Sequence, residues 1–287
     1  MCRPNKRSKP WLLLKILIMS NFWQRLITGV IFLAVLISGI VYSQWTFAVL
    51  FAVIDVLALW EFYRIGRQSG YKPLAVYGTA VGLAAFVLSF LASAGLIESR
   101  FLLMTVPLLV PVFIIVLFGR SDNPIMTIAY TFYGLLYIAL PFALISPIAF
   151  HAGSYQSIMV LGMFIIIWVN DTGAYCFGVT IGRHRMFERI SPKKTWEGFV
   201  GGALAAVGAS VLLARFFTVL TLPQWIVTAL LTVLFGTLGD LAESQLKRTV
   251  GIKDSSNILP GHGGILDRFD SIILAIPIIF AYLQIIA

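Results

Sequence analysis

Between Ser244 and Asp270 the chain reads SQLKRTVGIKDSSNILPGHGGILDRFD, and this stretch gathers Lys247, Arg248, Lys253, Asp254, His262, Asp267, Arg268 and Asp270. Just upstream, Asp240, Glu243, Ser244 and Lys247 recur at i, i+3, i+4 and i+7. On a helix that spacing puts two carboxylates, a hydroxyl and an ammonium on one face. Asp267 and Asp270 repeat the i, i+3 spacing at the entrance to the last apolar run, and LPGHGG (259–264), between the stripe and this pair, forms a turn. Its glycines allow a ligand to approach the backbone closely. Hard carboxylate oxygens suit Mg²⁺, which binds through one or two carboxylates plus substrate phosphates. Ammonium and guanidinium groups suit phosphate oxygens. The combination points to phosphoryl transfer, in which positioning and charge neutralisation supply most of the catalysis. The competing reading is a solvated helix end. No Walker A run, zinc-binding set or Ser-His-Asp arrangement is present, and His262 alone is weak evidence for a general base.

A second polar cluster precedes the first. In the loop GRHRMFERISPKKTWEG (182–198), Pro192 fixes the backbone ahead of Lys193 and Lys194 at an expected helix start. Ammonium groups beside free backbone N–H groups make an anion site. The alternative is that these lysines only hold the loop on one side of a membrane. Asn170 and Asp171 stand near the end of an apolar run and must face protein or water rather than lipid. Gly198, Gly201, Gly202 and Ala205 have the spacing that lets helices pack closely. Asp55 lies inside an apolar run, either as a functional ionisable group or as one protonated or paired with a neighbouring helix, and Glu61 stands at a run's end.

The elements that must position these groups are membrane helices. Hydrophobic residues make up 59% of the chain and charged residues 11%, less than half the usual charged share of about 25%. Nine stretches are long and apolar enough to span, at roughly 26–42, 45–62, 74–93, 101–119, 125–147, 157–177, 197–217, 224–242 and 270–286. Pro141 and Pro147 interrupt the fifth. With the N-terminus inside, every Lys and Arg except Arg100 and Arg215 falls on the cytoplasmic side. Losing or adding a span would scatter that bias, so the asymmetry supports both the number and the direction. The expected fold is an all-α polytopic membrane protein, with the N-terminus cytoplasmic and the C-terminus outside.

Three parts are expected: a basic extension (1–20), N-terminal transmembrane helices (21–150), and a catalytic transmembrane region (151–287) with cytoplasmic loops 179–197 and 243–269. The extension lacks a small-residue cleavage site. It reads either as a surface-lying segment drawn to anionic lipid or as sequence upstream of a start at Met19. Cys2 and Cys176 both sit toward the reducing side, so no disulfide is expected.

The run Ser244 to Asp270 resembles the signature of the phosphatidate cytidylyltransferases, or CDP-diacylglycerol synthases. Ser244, Lys247, Arg248, Lys253, Asp254, Pro260, His262, Gly263, Gly264, Asp267, Arg268 and Asp270 are all in register. DTGAY (171–175), SPKKTWEG (191–198) and RLITG (25–29) are similar to the family as well, and the usual family start just before RLITG favours Met19. The resemblance implies that CTP and phosphatidate give CDP-diacylglycerol and pyrophosphate. It implies Mg²⁺, with room for a second cation, bound by Asp240 and Asp267. Asp240, Ser244, Lys247 and Asp267 are then the expected catalytic set, and Lys193, Lys194, Arg248, Lys253, His262 and Arg268 the expected nucleotide-binding set. Asp254 and Asp270 are further ligands or orienting partners. Phosphatidate and membrane lipid are the expected partners alongside CTP, no nucleic acid is expected, and the small residues of several spans permit a homodimer. The expected location is a bacterial inner membrane with the site on its cytoplasmic face. The rival from a different class is an ion-coupled transporter using Asp55, Asp171 and Asp240. The densest charge lies in a loop segment rather than at mid-depth, which weighs against it.

Overall fold

A computed structural model describes the backbone of residues 10–286 and the side chains of 23–286. Residues 1–9 of the expected extension, Cys2 among them, lie outside the described residues; Cys176 is a free, exposed thiol. The described chain is built from helices α1 (Pro10–Tyr42), α2 (Gln44–Gln68), α3 (Ala75–Ser93), α4 (Val110–Phe118), α5 (Pro124–Gly134), α6 (Leu140–Ala149), α7 (Ser157–Ile181), α8 (Trp196–Phe216), α9 (Leu222–Val250) and α10 (Leu266–Ile286). Among the described residues, nine helical stretches are long and apolar enough to cross a membrane. They coincide with the nine read from sequence to within a few residues at their inner boundaries and extend further at several ends.

Two spans are composite. The fourth enters through 3₁₀ turns (Ser99–Thr105 and Pro107–Leu109) before α4. The fifth joins α5 to α6 through a π turn at Leu135–Ala139, immediately ahead of Pro141. Proline lacks an N–H and its ring crowds the preceding carbonyl. A wider turn absorbs both faults, so the span continues without a break. Capping residues mark where spans stop. Ser43 and Thr46 cap α2 reciprocally, Asn123 caps α5 with Pro124 at its first position, and Gly251 ends α9 in the left-handed conformation.

Many large apolar side chains point outward, among them Val76, Leu117, Phe118 and Ile125. That is the surface expected of a protein whose solvent is lipid. The interior is held by interlocked aromatics. Phe269 of α10 is 1% exposed and meets Phe32, Phe51, Phe142 and Phe164 edge-on. This plug fixes the rotation of α10, and Asp267 and Asp270 on either side of it are turned toward α9. In the second half α8 packs against both α7 and α9, and α9 against α10. Among the described residues the one strand pairing is a small antiparallel hairpin, β1 (Arg185–Phe187) with β2 (Ser191–Thr195), between α7 and α8.

Candidate active site

The chemistry-bearing segments meet at one end of the bundle, where α7 and α9 finish and α8 and α10 begin. There a cavity of about 350 Å³ is lined by Asn170 and Asp171 from α7, Lys193 and Lys194 from β2, and Asp240, Asp267 and Asp270 from α9 and α10. Ile167 and Phe199 supply apolar wall.

Close backbone approach brings the two acidic helices together. At Gly239 a Cβ would stand 2.4 Å from the carbonyl oxygen of Asp270, so α9 and α10 touch main chain to main chain there. Asp240 and Asp270 follow from that contact. Oxygens of Asp240, Glu243 and Asp270 lie within 4.8 Å of one another, a spacing that one cation can bridge. Glu243 is fully buried. Its Oε2 stands 2.5 Å from Lys247 Nζ as an ion pair, and its Oε1 has no hydrogen-bond partner. The helical stripe read from sequence is therefore real. Ser244 Oγ donates to Asp240 Oδ1 at 3.2 Å, and Lys194 Nζ reaches Asp240 Oδ2 at 2.5 Å from the facing hairpin.

Asp267 is engaged differently. It accepts Lys247 Nζ at 2.6 Å on Oδ1, and the backbone N–H groups of Ser255 (2.9 Å) and Gly264 (2.7 Å) on Oδ2. It lies outside the three-carboxylate group, although it lines the same cavity. Asp240 is thus gathered with Glu243 and Asp270, while Asp267 ties Lys247 to the hydrophilic insert (251–265).

The expected nucleotide-binding residues divide into two sets. Lys193 and Lys194 line the cavity. They sit in β2 rather than at a helix start, because Thr195 is the N-cap of α8 and accepts from the N–H of Gly198. Glu197 then anchors the hairpin's first residues by accepting the N–H groups of Arg183 and His184. Arg248, Lys253, His262 and Arg268 do not line the cavity. Arg268 donates through Nε and Nη2 to the carbonyl of His262, closing the glycine turn, and Arg248 and Lys253 are exposed. Burial, then the charges of Arg268 and Arg25, holds the His262 imidazole below its usual value.

One polar residue of the first half joins this end of the molecule. Glu61 of α2 is 1% exposed and accepts four hydrogen bonds from the insert and the start of α10. Asp55, by contrast, is buried with no hydrogen-bond partner and lines neither the cavity nor the acidic group.

Comparison with known sequences fits this geometry. Residues 23–286 match the model of the cytidylyltransferase family. A phosphatidate cytidylyltransferase of Staphylococcus haemolyticus is 34% identical over 88% of this chain and 94% of its own length. The chain belongs to the cytidylyltransferase family. Similar proteins of the same name from Staphylococcus saprophyticus (41% identical over 54% of this chain and 56% of theirs) and Staphylococcus aureus (47% over 42% and 46%) match over shorter stretches. In this family member the cavity-lining groups come from α7, the β1–β2 hairpin, α8, α9 and α10.

Proposed function

We propose that this chain is a phosphatidate cytidylyltransferase of phospholipid biosynthesis, moving the cytidylyl group of CTP to phosphatidate to give CDP-diacylglycerol and pyrophosphate. Membership of the cytidylyltransferase family and near full-length similarity to a relative of that name support the assignment. They give no support to an ion-coupled transporter. The observation that carries the mechanism is the gathering of Asp240, Glu243 and Asp270 within reach of one cation, with Asp240 and Asp270 lining a cavity that Lys193 and Lys194 also line.

A phosphate oxygen of the lipid attacks the α-phosphorus of CTP. The bond from that phosphorus to the oxygen bridging to the β-phosphate breaks, and pyrophosphate leaves with the bridging oxygen. Both substrates are anions, so the site must offset charge before they can approach each other. Lys193 and Lys194 do this from the hairpin by contacting phosphate oxygens. The donor set of Asp240, Glu243 and Asp270 fits a hard divalent ion of the Mg²⁺ type, and Glu243 brings a buried oxygen with no protein hydrogen-bond donor. Such an ion, when bound, polarises phosphoryl oxygens and neutralises charge developing on the leaving group. In this proposal Asp240 shares the ion with Asp270 and Glu243. Asp267 instead fixes Lys247 and the insert, and Ser244 orients Asp240.

Arg248 and Lys253, exposed at the same end, raise the local concentration of both anionic substrates, an effect that salt weakens. The basic-residue asymmetry supports a cytoplasmic site in a bacterial inner membrane, the compartment that holds CTP, with phosphatidate entering from the inner leaflet.

The test incubates purified protein with labelled CTP, phosphatidate vesicles and Mg²⁺. Pyrophosphate release that requires the lipid supports the assignment. Release without lipid, or none across a panel of lipids and nucleotides, overturns it.

A further inference from the structure

Glu61 lies 194 to 205 residues from its partners in sequence, and all four of them are donors. Its Oε1 accepts Ser256 Oγ (2.5 Å) and the N–H of Ile265 (3.0 Å); its Oε2 accepts Ser255 Oγ (2.8 Å) and the N–H of Leu266 (2.8 Å). A carboxylate offers about four acceptor positions, and a donor stands within hydrogen-bond distance at each. The last two donors are orphan N–H groups at the start of α10, so Glu61 caps that helix from another helix. Gly264 packs so tightly here that a Cβ would come within 2.4 Å of Glu61 Oε2.

The contacts continue toward the acidic group. Ser255 Oγ stands 2.9 Å from Asp267 Oδ2 as well as 2.8 Å from Glu61, so its single proton serves one carboxylate or the other. Asp267 holds Lys247 at 2.6 Å, and Lys247 holds Glu243 at 2.5 Å. Glu243 is a member of the three-carboxylate group.

We propose that Glu61 is a positioning residue of the reaction: by fixing Ser255 and the first turn of α10, it sets the placement of Asp267, Lys247 and Glu243, and so the cation affinity of the acidic group. This rests on the cytidylyltransferase reading of the site. This arrangement makes the N-terminal half part of the catalytic apparatus although none of its described side chains lines the cavity. Groups that orient metal ligands from behind typically alter metal affinity or activity by about 10–100-fold when removed.

Ser255 and Ser256 make the test selective, because each donates to Glu61 and only Ser255 also reaches Asp267. Full-length wild type, Glu61→Gln, Ser255→Ala, Ser256→Ala and the Glu61→Gln/Ser255→Ala double variant are compared in detergent. Mn²⁺ binding to each protein alone is followed by electron paramagnetic resonance, alongside thermal unfolding, kcat and KM for CTP. In Glu61→Gln, an amide N–H faces two donors, and Mn²⁺ affinity and kcat are expected to fall by about tenfold or more with KM little changed. Ser255→Ala is expected to shift both in the same direction and Ser256→Ala to stay close to wild type. The double variant is expected to be no worse than Glu61→Gln, the signature of groups acting in series.

Equal effects of the two serine variants, or unchanged Mn²⁺ affinity in folded Glu61→Gln, overturn the proposal and leave Glu61 a structural anchor that moves only the unfolding temperature. If Glu61→Gln does not fold, the serine pair decides. If wild type shows no cytidylyl transfer, the functional assignment fails while the Mn²⁺ isotherms still decide the role of Glu61.

Discussion

Two hydrophilic segments flank the cavity, and they are held in opposite ways. The insert (251–265) is locked from beneath: Ser255 and Ser256 are buried, and carboxylates of α2 and α10 take up their hydroxyls and the neighbouring N–H groups. The hairpin between α7 and α8 is mostly exposed, with Arg185, Phe187, Pro192 and Lys193 facing out, and it is tied down through Glu197 and the Lys194–Asp240 ion pair. The contrast assigns them different work. A segment fixed by buried, satisfied hydrogen bonds sets geometry, whereas a solvent-accessible, half-buried ion pair such as Lys194–Asp240 can be exchanged for one with a ligand. In the proposed mechanism the insert fixes Asp267, and the hairpin supplies Lys193 and Lys194 for substrate phosphates.

The comparison breaks first at the acids themselves. Asp240→Asn and Asp270→Asn should each lower kcat by on the order of 10²–10³-fold, the scale for deleting a preorganised charge at a reacting group. Lipid-dependent pyrophosphate release measures it, and near-normal Mg²⁺-dependent turnover in either variant would remove that residue from the cation site. Next comes the hairpin. Lys194→Met should raise KM for CTP by about tenfold, the value of one charge-assisted hydrogen bond, and steepen neither kcat loss nor unfolding. A fall in kcat at constant KM would instead give Lys194 the same geometric role as the insert.

Stability separates the segments on a smaller scale. Gly264→Ala puts a Cβ 2.0 Å from Ser255 Oγ and 2.4 Å from Glu61 Oε2, and overpacking of this kind costs about 1–3 kcal/mol. Arg189→Ala at the exposed hairpin tip should stay within about 0.5 kcal/mol of wild type. Thermal unfolding in detergent reads both, and equal shifts would erase the distinction.

The smallest effect concerns acid. The folded His262 imidazole sits below its usual value, through burial first and then Arg268 and Arg25. The unfolded chain therefore binds this proton more readily. Stability is greatest above the unfolded value of about 6.5 and declines as the pH drops toward the depressed folded one. His262→Asn should flatten that part of the stability–pH curve, and an unchanged curve would mean that other groups cause the decline.

Much of this was legible in the sequence because the signals are local. Nine apolar runs correspond to nine helical spans among the described residues, and the i, i+3, i+4, i+7 spacing of Asp240, Glu243, Ser244 and Lys247 became an ion-paired face of α9. The stacking of small residues Gly198, Gly201 and Gly202 was also readable, as close packing of α8 on α7. What was not legible depends on chain segments far apart in sequence. The family resemblance pairs Asp240 with Asp267, but which carboxylates gather beside Asp240 depends on the main-chain contact at Gly239 and on the packing of Phe269 in α10. The lysines read as a helix start became a strand because Thr195, one residue later, is the better cap. Glu61 carried one usable sign, a carboxylate set in the aromatic run Trp60 to Tyr63 near a span end, which is costly unless partnered. Nothing local could name the partners.

The most direct test of the central claim, that Asp240, Glu243 and Asp270 converge on one divalent ion, is an anomalous difference map from crystals of the protein grown with Mn²⁺. A single strong peak is expected between Asp240 and Asp270 with Glu243 beside it, and with Asp267 still bonded to Lys247 and Ser255. A peak ligated by Asp267 with Asp270 turned away, or a cavity without manganese in protein that is otherwise active, would contradict it.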